Sequence, residues 1–210
     1  MSIIYSTVSN EKYTVSCMGK MVYIYEKAGR ELGRFNFDGA EFAVISSDGD
    51  TFAVKAKDGG IALYSFSQLA KTAVLKQPAD EDCFEKGMCF SSDGKKIFDA
   101  EKNAICVFDV RNGECEKFTF DNAVISHVEC ANEIFVLGKE AEKGFVAKLN
   151  DGKLCDIKYI SDKDYEYYFN YKCAENKGFS SAAMERYLPD VSKVEYIRTS
   201  LCELWNKKEG

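Results

Sequence analysis

Two residues of this chain that could together bind a metal ion, His127 and Cys130, lie close together in the sequence. His127, the only histidine, precedes Cys130 by three positions. In a strand, residues i and i+3 point to opposite faces, so the two side chains could share an ion only through a bulge. Neither a Cys-x-x-Cys pair nor a His-x-x-x-His pair supports them. We therefore predict no metal site and no cofactor.

Nucleophilic catalysis requires a serine or cysteine beside a base that a third group orients. The single histidine lies inside the apolar run Val124–Val128, and the chain has no Gly-x-Ser-x-Gly sequence. Lys57-Asp58-Gly59-Gly60 is typical of a hairpin turn between two strands, not of a phosphate-binding loop. The sequence thus predicts no catalytic residue. It does not exclude a pair of carboxylates at the separation that glycosidases use, because the distance between two acids cannot be read from sequence.

Composition and charge limit the cellular compartment and the classes of binding partner that we expect. The 210 residues carry a net charge of −6, which favours solubility and disfavours binding to nucleic acid. Nine cysteines, an odd number without clustered spacing, argue against a disulfide framework and favour a reducing compartment. The start has no secretory signal pattern, and no run of about 18 apolar residues occurs. We expect a cytoplasmic protein that does not bind membranes.

Internal repeats indicate how the strands are organised. Ser46-Ser47-Asp48-Gly49 recurs 45 residues later as Ser91-Ser92-Asp93-Gly94, each time between two apolar strands. A second apolar marker recurs with starting positions 39, 44 and 40 residues apart. Its copies are Val22–Glu26, Ile61–Ser65, Ile105–Asp109 and Phe145–Leu149. Four strands in a period of about 40 residues are the signature of a propeller blade.

The repeats predict one all-β domain over residues 1–210, a β-propeller of four-stranded antiparallel blades. Five blades fill the chain, with approximate bounds 1–37, 38–79, 80–120, 121–160 and 161–210. In the fifth, alternating aromatic residues predict a strand, and Leu201–Trp205 is the expected fourth strand. The alternating residues are Tyr165, Tyr167, Phe169 and Tyr171. The alternative is four blades plus a C-terminal helix, with Ser192 and Glu195 as its capping box.

The stretch Ile105–Cys115 resembles the closing half of a WD40 repeat. Phe108-Asp109 stands where that family has Trp-Asp, and Asp93-Gly94 resembles the family's turn between the first two strands. Tyr25-Glu26 and Tyr64-Ser65 are the matching pairs in other units. The resemblance covers residues 1–160 well and the remainder weakly.

Two departures from the WD40 pattern affect the expected architecture. His127 and Trp205 are the only residues of their types, so the Gly-His dipeptide and the true Trp-Asp pair are missing. The family's buried His–Asp network is thereby absent, and we expect apolar packing alone to hold the blades together. Because Ile3–Val8 is the first strand of blade one, no spare strand closes the ring. The ring closes by blade packing, or it stays an arc completed by a partner or a second copy.

The links between successive blades suggest a binding surface. Each link carries an acid, and in a propeller all such links emerge on one face. The expected partner-binding residues are Asp38, Asp80, Glu81, Asp82, Phe84, Glu85, Asp121, Asp162, Asp164 and Tyr165. Complementary charge would steer a basic segment of another protein to this face. The alternative explanation is that Asp is simply a favoured turn residue.

The predicted function is therefore a non-enzymatic protein–protein interaction scaffold that uses one loop face of a small WD40-like propeller. A second hypothesis from a different class is a small-ligand or carbohydrate binder, or a hydrolase, that uses the central channel of a five-bladed ring.

Overall fold

The computed structural model describes residues 6–18, 20–77, 87–166 and 200–206, which include four four-stranded sheets. The first contains β1 (Ser6–Ser9), β2 (Tyr13–Met18), β3 (Met21–Glu26) and β4 (Glu31–Asn36). The second contains β5 (Ala40–Ile45), β6 (Thr51–Ala56), β7 (Ile61–Ser65) and β8 (Ala70–Lys76). The third contains β9 (Met88–Phe90), β10 (Lys96–Ala100), β11 (Ala104–Asp109) and β12 (Cys115–Thr119). The fourth contains β13 (Ala123–Cys130), β14 (Ile134–Glu140), β15 (Lys143–Asn150) and β16 (Lys153–Ile160).

Each sheet is an antiparallel meander in which strands that are consecutive in the chain pair with each other. The repeated Ser-Ser-Asp-Gly segment forms the first turn of the second and third sheets. Gly49 and Gly94 take left-handed φ values of 73° and 70°, a region that favours glycine. The Asp48 carboxylate accepts hydrogen bonds from the backbone N–H groups of Asp50 at 2.8 Å and Thr51 at 3.1 Å. The spacing of the repeat therefore reflects local turn chemistry.

Apolar side chains fill the spaces between neighbouring sheets. Val15 and Ile24 of the first sheet belong to one core cluster with Phe52 and Tyr64 of the second. Two further clusters join the second sheet to the third, and the third to the fourth. The first strands contact one another in chain order, β1 with β5, β5 with β9 and β9 with β13. This succession of sheets stacked face to face is that of propeller blades.

The expectation that apolar packing alone holds the blades together is wrong, because charged side chains also connect the second and third sheets. The Nζ of Lys55 on β6 donates to the carboxylate of Asp99 on β10, and both side chains are fully buried. Lys76 lies 3.5 Å from Asp99 and 2.5 Å from Glu101, and Lys117 lies 2.6 Å from Glu101. A lysine-carboxylate network therefore extends from the inter-sheet core toward the solvent.

The chain after β16 turns into a helical segment at 162–166. Ser161 Oγ accepts a hydrogen bond from the Asp164 backbone N–H at 3.1 Å and donates one to its carboxylate at 2.6 Å. The first of these bonds satisfies a backbone donor at a helix start. The expected strand is therefore wrong at Tyr165, while Tyr167, Phe169 and Tyr171 lie outside the described residues.

Residues 201–206 form a helix, Leu201–Asn206, so the expected fourth strand at Leu201–Trp205 is also wrong. Ser200 and Glu203 form its capping box, in which the Ser200 backbone N–H donates to Glu203 at 2.6 Å and the Glu203 N–H donates to Ser200 Oγ at 3.2 Å. Leu201 and Leu204 are buried against the fourth sheet. This agrees with the helical alternative for these six residues. Ser192 and Glu195, the predicted capping pair, lie outside the described residues, and the number of blades stays a prediction.

Candidate functional site

The inter-sheet links and the middle turn of each sheet lie at the same end of the strands, because successive strands of a meander run in opposite directions. Hydrogen bonds between the two sets confirm this arrangement. The Lys57 N–H donates to the carbonyl of Gly39 at 2.9 Å, and the Phe120 N–H donates to that of Asn103 at 2.8 Å. We call this end the loop face. Its described parts are Lys20, 37–39, 57–60, 101–103, 120–122, 140–143 and 161–164.

The structure places four of the predicted acids on the loop face. Asp38 and Asp121 are exposed on two different links, whereas Asp162 and Asp164 lie in the first residues of the helical segment at 162–166. Asp38 forms an exposed ion pair with Lys20 at 3.5 Å. The other predicted acids and the predicted phenylalanine lie outside the described residues, namely Asp80, Glu81, Asp82, Phe84 and Glu85.

Lysines on the loop face were missed by the reasoning from sequence. Lys20, Lys57, Lys102 and Lys143 are exposed there, between or beside the acids. They lie in or beside the middle turn of each sheet, between its second and third strands. The reasoning from sequence considered only the links between sheets, although these turns lie on the same face. The described part of the loop face is therefore mixed in sign, and its acids are concentrated near the fourth sheet.

An open cavity of about 640 Å³ lies in that acidic region, beside Asp121. Asn122, Glu140, Lys143 and Tyr159 line it. The Tyr159 ring is 50% exposed, and its hydroxyl donates to the Glu140 carboxylate at 2.6 Å. This hydrogen bond raises the pKa of Tyr159. The cavity thus combines an exposed aromatic face with a carboxylate held at its edge.

The turn that forms one wall of the cavity has an unusual backbone. Ala141 and Glu142 both take left-handed φ values, 45° and 69°, in the two-residue turn between β14 and β15. Hairpin turns of this hand normally contain Asn or Gly. Each residue of another type that adopts the left-handed conformation lowers the stability of the fold by on the order of 1 kcal/mol. The paired residues on either side, Glu140 and Lys143, are fixed opposite each other by this turn. No glycine or asparagine marks the turn in the sequence.

Tyr165 does not serve as the exposed aromatic contact that the sequence suggested. Its side chain is only 6% exposed, and its hydroxyl is hydrogen-bonded to Ser126 on β13. Gly144 lies against the ring with no room for a Cβ, and the Lys139 Nζ lies 4.6 Å from the ring centroid. Tyr165 therefore supports the fourth sheet from within the core, and Tyr159 is the aromatic residue that faces solvent.

The potential metal ligands His127 and Cys130 are on opposite faces of β13, as predicted, because the register between them is regular. His127 is 8% exposed and packs against Gly87, which has no room for a side chain there. Within the described ranges, no three His, Cys, Asp or Glu side chains are grouped as metal ligands. None of the helical segments in the described ranges has the length and apolar character that a membrane crossing requires.

Comparison with known proteins identifies the fold. No family model and no curated protein sequence matches the chain. A solved structure of U3-55K aligns with a TM-score of 0.62 and 13% identity, over 76% of this chain and 52% of that one. A crystal structure of the RRP9 WD40 repeats aligns with a TM-score of 0.61 and 13% identity, over 74% of this chain and 51% of that one. This chain thus spans about half the length of the solved structures that it matches. The protein has a WD40-like β-propeller fold with four-stranded antiparallel blades.

Proposed function

We propose that the chain is a non-enzymatic interaction scaffold whose loop face binds a basic segment of another protein. The single observation that supports this most strongly is the cavity beside Asp121, where Tyr159 and Glu140 lie together. A lysine or arginine side chain can stack on an exposed aromatic ring and pair with a neighbouring carboxylate. The cavity offers both partners within one site.

The surroundings of the cavity add to its negative potential. Asp121 and Glu142 are exposed neighbours of the cavity-lining residues Asn122 and Ala141. We propose that the predicted acids Asp80, Glu81 and Asp82, which lie in the sequence between the second and third sheets, also bind the partner. An acidic region on a protein with a net charge of −6 would increase the rate at which basic partners associate.

The exposed lysines give the proposal a specificity element. Lys20 and Lys57 lie on the parts of the loop face that belong to the first and second sheets. A partner with an unbroken basic surface would meet these positive charges, and like charges opposite each other reduce affinity. We therefore propose that the partner contributes a short basic segment with neutral or acidic residues beside it.

Charge reversal on the two ends of the propeller tests this function. The Asp121→Lys/Glu142→Lys variant changes the loop face, and Glu11→Lys/Glu114→Lys makes the same change in net charge at turns on the opposite end. Affinity purification from a lysate of the source cells, with quantification of every recovered protein, compares both variants with the wild type. A third variant reverses Asp80, Glu81 and Asp82 to Lys.

We expect at least one partner to lose tenfold or more in recovery with the loop-face variants, because close charge pairs contribute more than about 1.4 kcal/mol each. The opposite-end variant should recover the same partner at the wild-type level. Equal recovery of all proteins by all variants would contradict the proposed function.

A further inference from the structure

A second cleft lies at the end of the strands opposite the loop face, between the third and fourth sheets. Its volume is about 370 Å³. Lys96 at the start of β10, Glu116 near the start of β12 and the turn between β15 and β16 surround it. No residue predicted from the sequence to bind a partner lies here, so the cleft is independent of the loop face.

The floor of the cleft is apolar, because the strand registers pair apolar residues with each other on both sheets. On the third sheet, Phe98 pairs with Val107 across β10 and β11, and these side chains face the fourth sheet. On the fourth sheet, Ile134 pairs with Leu149 across β14 and β15. Phe98 and Val107 are 8% and 7% exposed, so a small part of each remains accessible from the cleft. An apolar side chain that enters the cleft would complete the burial of this surface.

The turn between β15 and β16 holds one wall of the cleft in place. Asp151 and Gly152 take left-handed φ values of 47° and 73°. The Gly152 backbone lies so close to the Phe118 ring that no room is left for a Cβ. Because this contact fixes the turn against the third sheet, the cleft is preformed and its occupant need not order the turn.

Unpaired charges surround the apolar floor. Glu116 on the third sheet and Asp151 on the fourth sheet are both exposed, one on each wall. Among the described residues, neither carboxylate forms an ion pair. The adjacent Val107 pairs with Glu116 across β11 and β12, which places one carboxylate at the edge of the floor. Lys96 is the one cation among the described residues that line the cleft, so the two carboxylates leave the lining with a net negative charge. This charge next to an apolar floor complements a segment that has a positive charge beside an apolar side chain.

We propose that this cleft binds a short segment of a partner protein in which a leucine or a similarly bulky apolar residue is next to a lysine or arginine. The apolar side chain contacts Phe98, Val107 and Leu149, and the basic side chain extends between Glu116 and Asp151. The cleft is a docking site separate from the loop face, and it gives the propeller a second contact for the same partner or for another one.

NMR titration with defined peptides tests the proposal. The probe is N-acetyl-Gly-Leu-Arg-Gly-amide, and the matched peptides replace Arg by Glu or Leu by Ala. Methyl resonances of Val107, Ile134 and Leu149 report on the cleft. We expect saturable shifts of these methyl groups with a Kd on the order of millimolar, as befits so short a peptide. Each matched peptide should bind at least about fivefold more weakly.

Three protein variants show where the peptide binds. Glu116→Gln/Asp151→Asn should weaken the Leu-Arg peptide by about fivefold, because both substitutions keep side-chain size and remove the charges. Glu114→Gln, an exposed acid outside the cleft, should leave the affinity unchanged. The loop-face variant Asp121→Lys/Glu142→Lys should also bind the peptide normally, which separates failure of this proposal from failure of the proposed function. Absence of methyl shifts, equal binding of all three peptides, or shifts that persist unchanged in Glu116→Gln/Asp151→Asn would overturn the cleft as a docking site.

Discussion

The ammonium group of Lys55 and the carboxylate of Asp99 form an ion pair between the second and third sheets, with both side chains completely buried. Lys55 also donates to the carbonyl of Ala100 at 3.4 Å, and Asp99 lies 3.5 Å from a second lysine, Lys76. Removing charges from water is costly, and only close partners and further hydrogen bonds offset that cost. The pair therefore fixes how these two blades face each other.

Loss of the Lys55 charge should destabilise the fold strongly. Lys55→Met leaves the Asp99 carboxylate buried without its closest partner, and we expect the free energy of unfolding to fall by about 3 kcal/mol or more. Urea denaturation followed by circular dichroism measures this change. Lys57→Met, which alters an exposed lysine two residues away, should change stability by less than about 0.5 kcal/mol.

A second substitution distinguishes a buried-charge effect from a packing effect. Lys55→Met/Asp99→Leu removes both charges, and it should recover much of the stability that Lys55→Met loses. The single variant Asp99→Leu completes the comparison. If the double variant loses as much stability as Lys55→Met and Asp99→Leu lose together, the ion pair is not the cause of the loss.

Acid should weaken the same network through Glu101. Burial raises the pKa of Glu101, but hydrogen bonds from Lys117, Lys76 and Cys106 outweigh it and lower the pKa to about 2. Because the pKa of Glu101 is lower in the folded state, the carboxylate stabilises the fold at pH values above 4.5, its ordinary pKa. This contribution disappears as the pH falls from 4.5 toward 2. The contribution is on the order of 3 kcal/mol.

The pH dependence of unfolding in the wild type and in Glu101→Gln measures this contribution. The wild type should lose stability between about pH 5 and pH 2, and the Glu101→Gln variant should lose distinctly less over that range, because it has no carboxylate to protonate. Glu114→Gln, at an exposed position, serves as the control and should follow the wild type. Parallel curves for wild type and Glu101→Gln would exclude Glu101 as a source of the acid sensitivity.

Gly152 should be the least replaceable of three comparable glycines. Gly152→Ala combines a left-handed φ of 73° with the clash against Phe118, and we expect a loss of about 3 kcal/mol. Gly113 has the same φ but only ordinary contacts, so Gly113→Ala should lose about 1 kcal/mol. Gly33→Ala has no neighbour within 4 Å and should be nearly neutral. Thermal unfolding of the three variants ranks them, and equal losses at Gly152 and Gly113 would show that the Phe118 contact is unimportant.

Ser200 should control the local stability of the helix Leu201–Asn206. Ser200→Ala removes the acceptor for the Glu203 backbone N–H, a change that costs about 1 kcal/mol at a helix start. Amide hydrogen exchange at Glu203 and Leu204 should accelerate about fivefold, while exchange in β10 and β11 stays constant. Unchanged exchange at these two amides would show that the capping box does not hold the helix.

The strands of the four sheets were predictable from the sequence because their turns use strong local signals. The two Ser-Ser-Asp-Gly turns place Gly49 and Gly94 where left-handed φ values are needed, and the same spacing sets the strand pairs around them. The predicted boundaries after residues 37 and 120 fall between two sheets, and the boundary after residue 160 falls at the end of β16. Residue 79 lies outside the described residues. In these sheets, the local turn residues and the apolar strand pattern both predict the same strand positions.

The helical segments were predicted less well because a short apolar run fits a strand and a helix equally. Tyr165 satisfies an alternating pattern, yet Ser161 and Asp164 start a helical turn in front of it. Leu201 and Leu204 are three residues apart, a spacing that also suits one face of a helix. The Ser200–Glu203 capping box is a local signal that favours the helix, and it was not used in the prediction. Burial of Leu201 and Leu204 against the fourth sheet adds a tertiary contribution that no local pattern shows.

The pairing of charges could not be predicted because it depends on contacts between sheets. Lys55 and Asp99 are 44 residues apart, and neither belongs to a motif. The lysines of the loop face were missed for a related reason, since only the topology brings Lys57 next to the Gly39 link. The Ala141-Glu142 turn has no residue type that signals its left-handed backbone.

Hydrogen–deuterium exchange of the protein with the partner recovered by affinity purification tests the loop face as a docking surface most directly. Partner binding should slow amide exchange at residues 120–122 and 140–143, around the cavity with Tyr159 and Glu140. Exchange in the turns at 46–50 and 91–94, on the opposite end of the strands, should stay unchanged. Failure to recover any partner, or protection confined to those opposite turns, would contradict the proposed scaffold function.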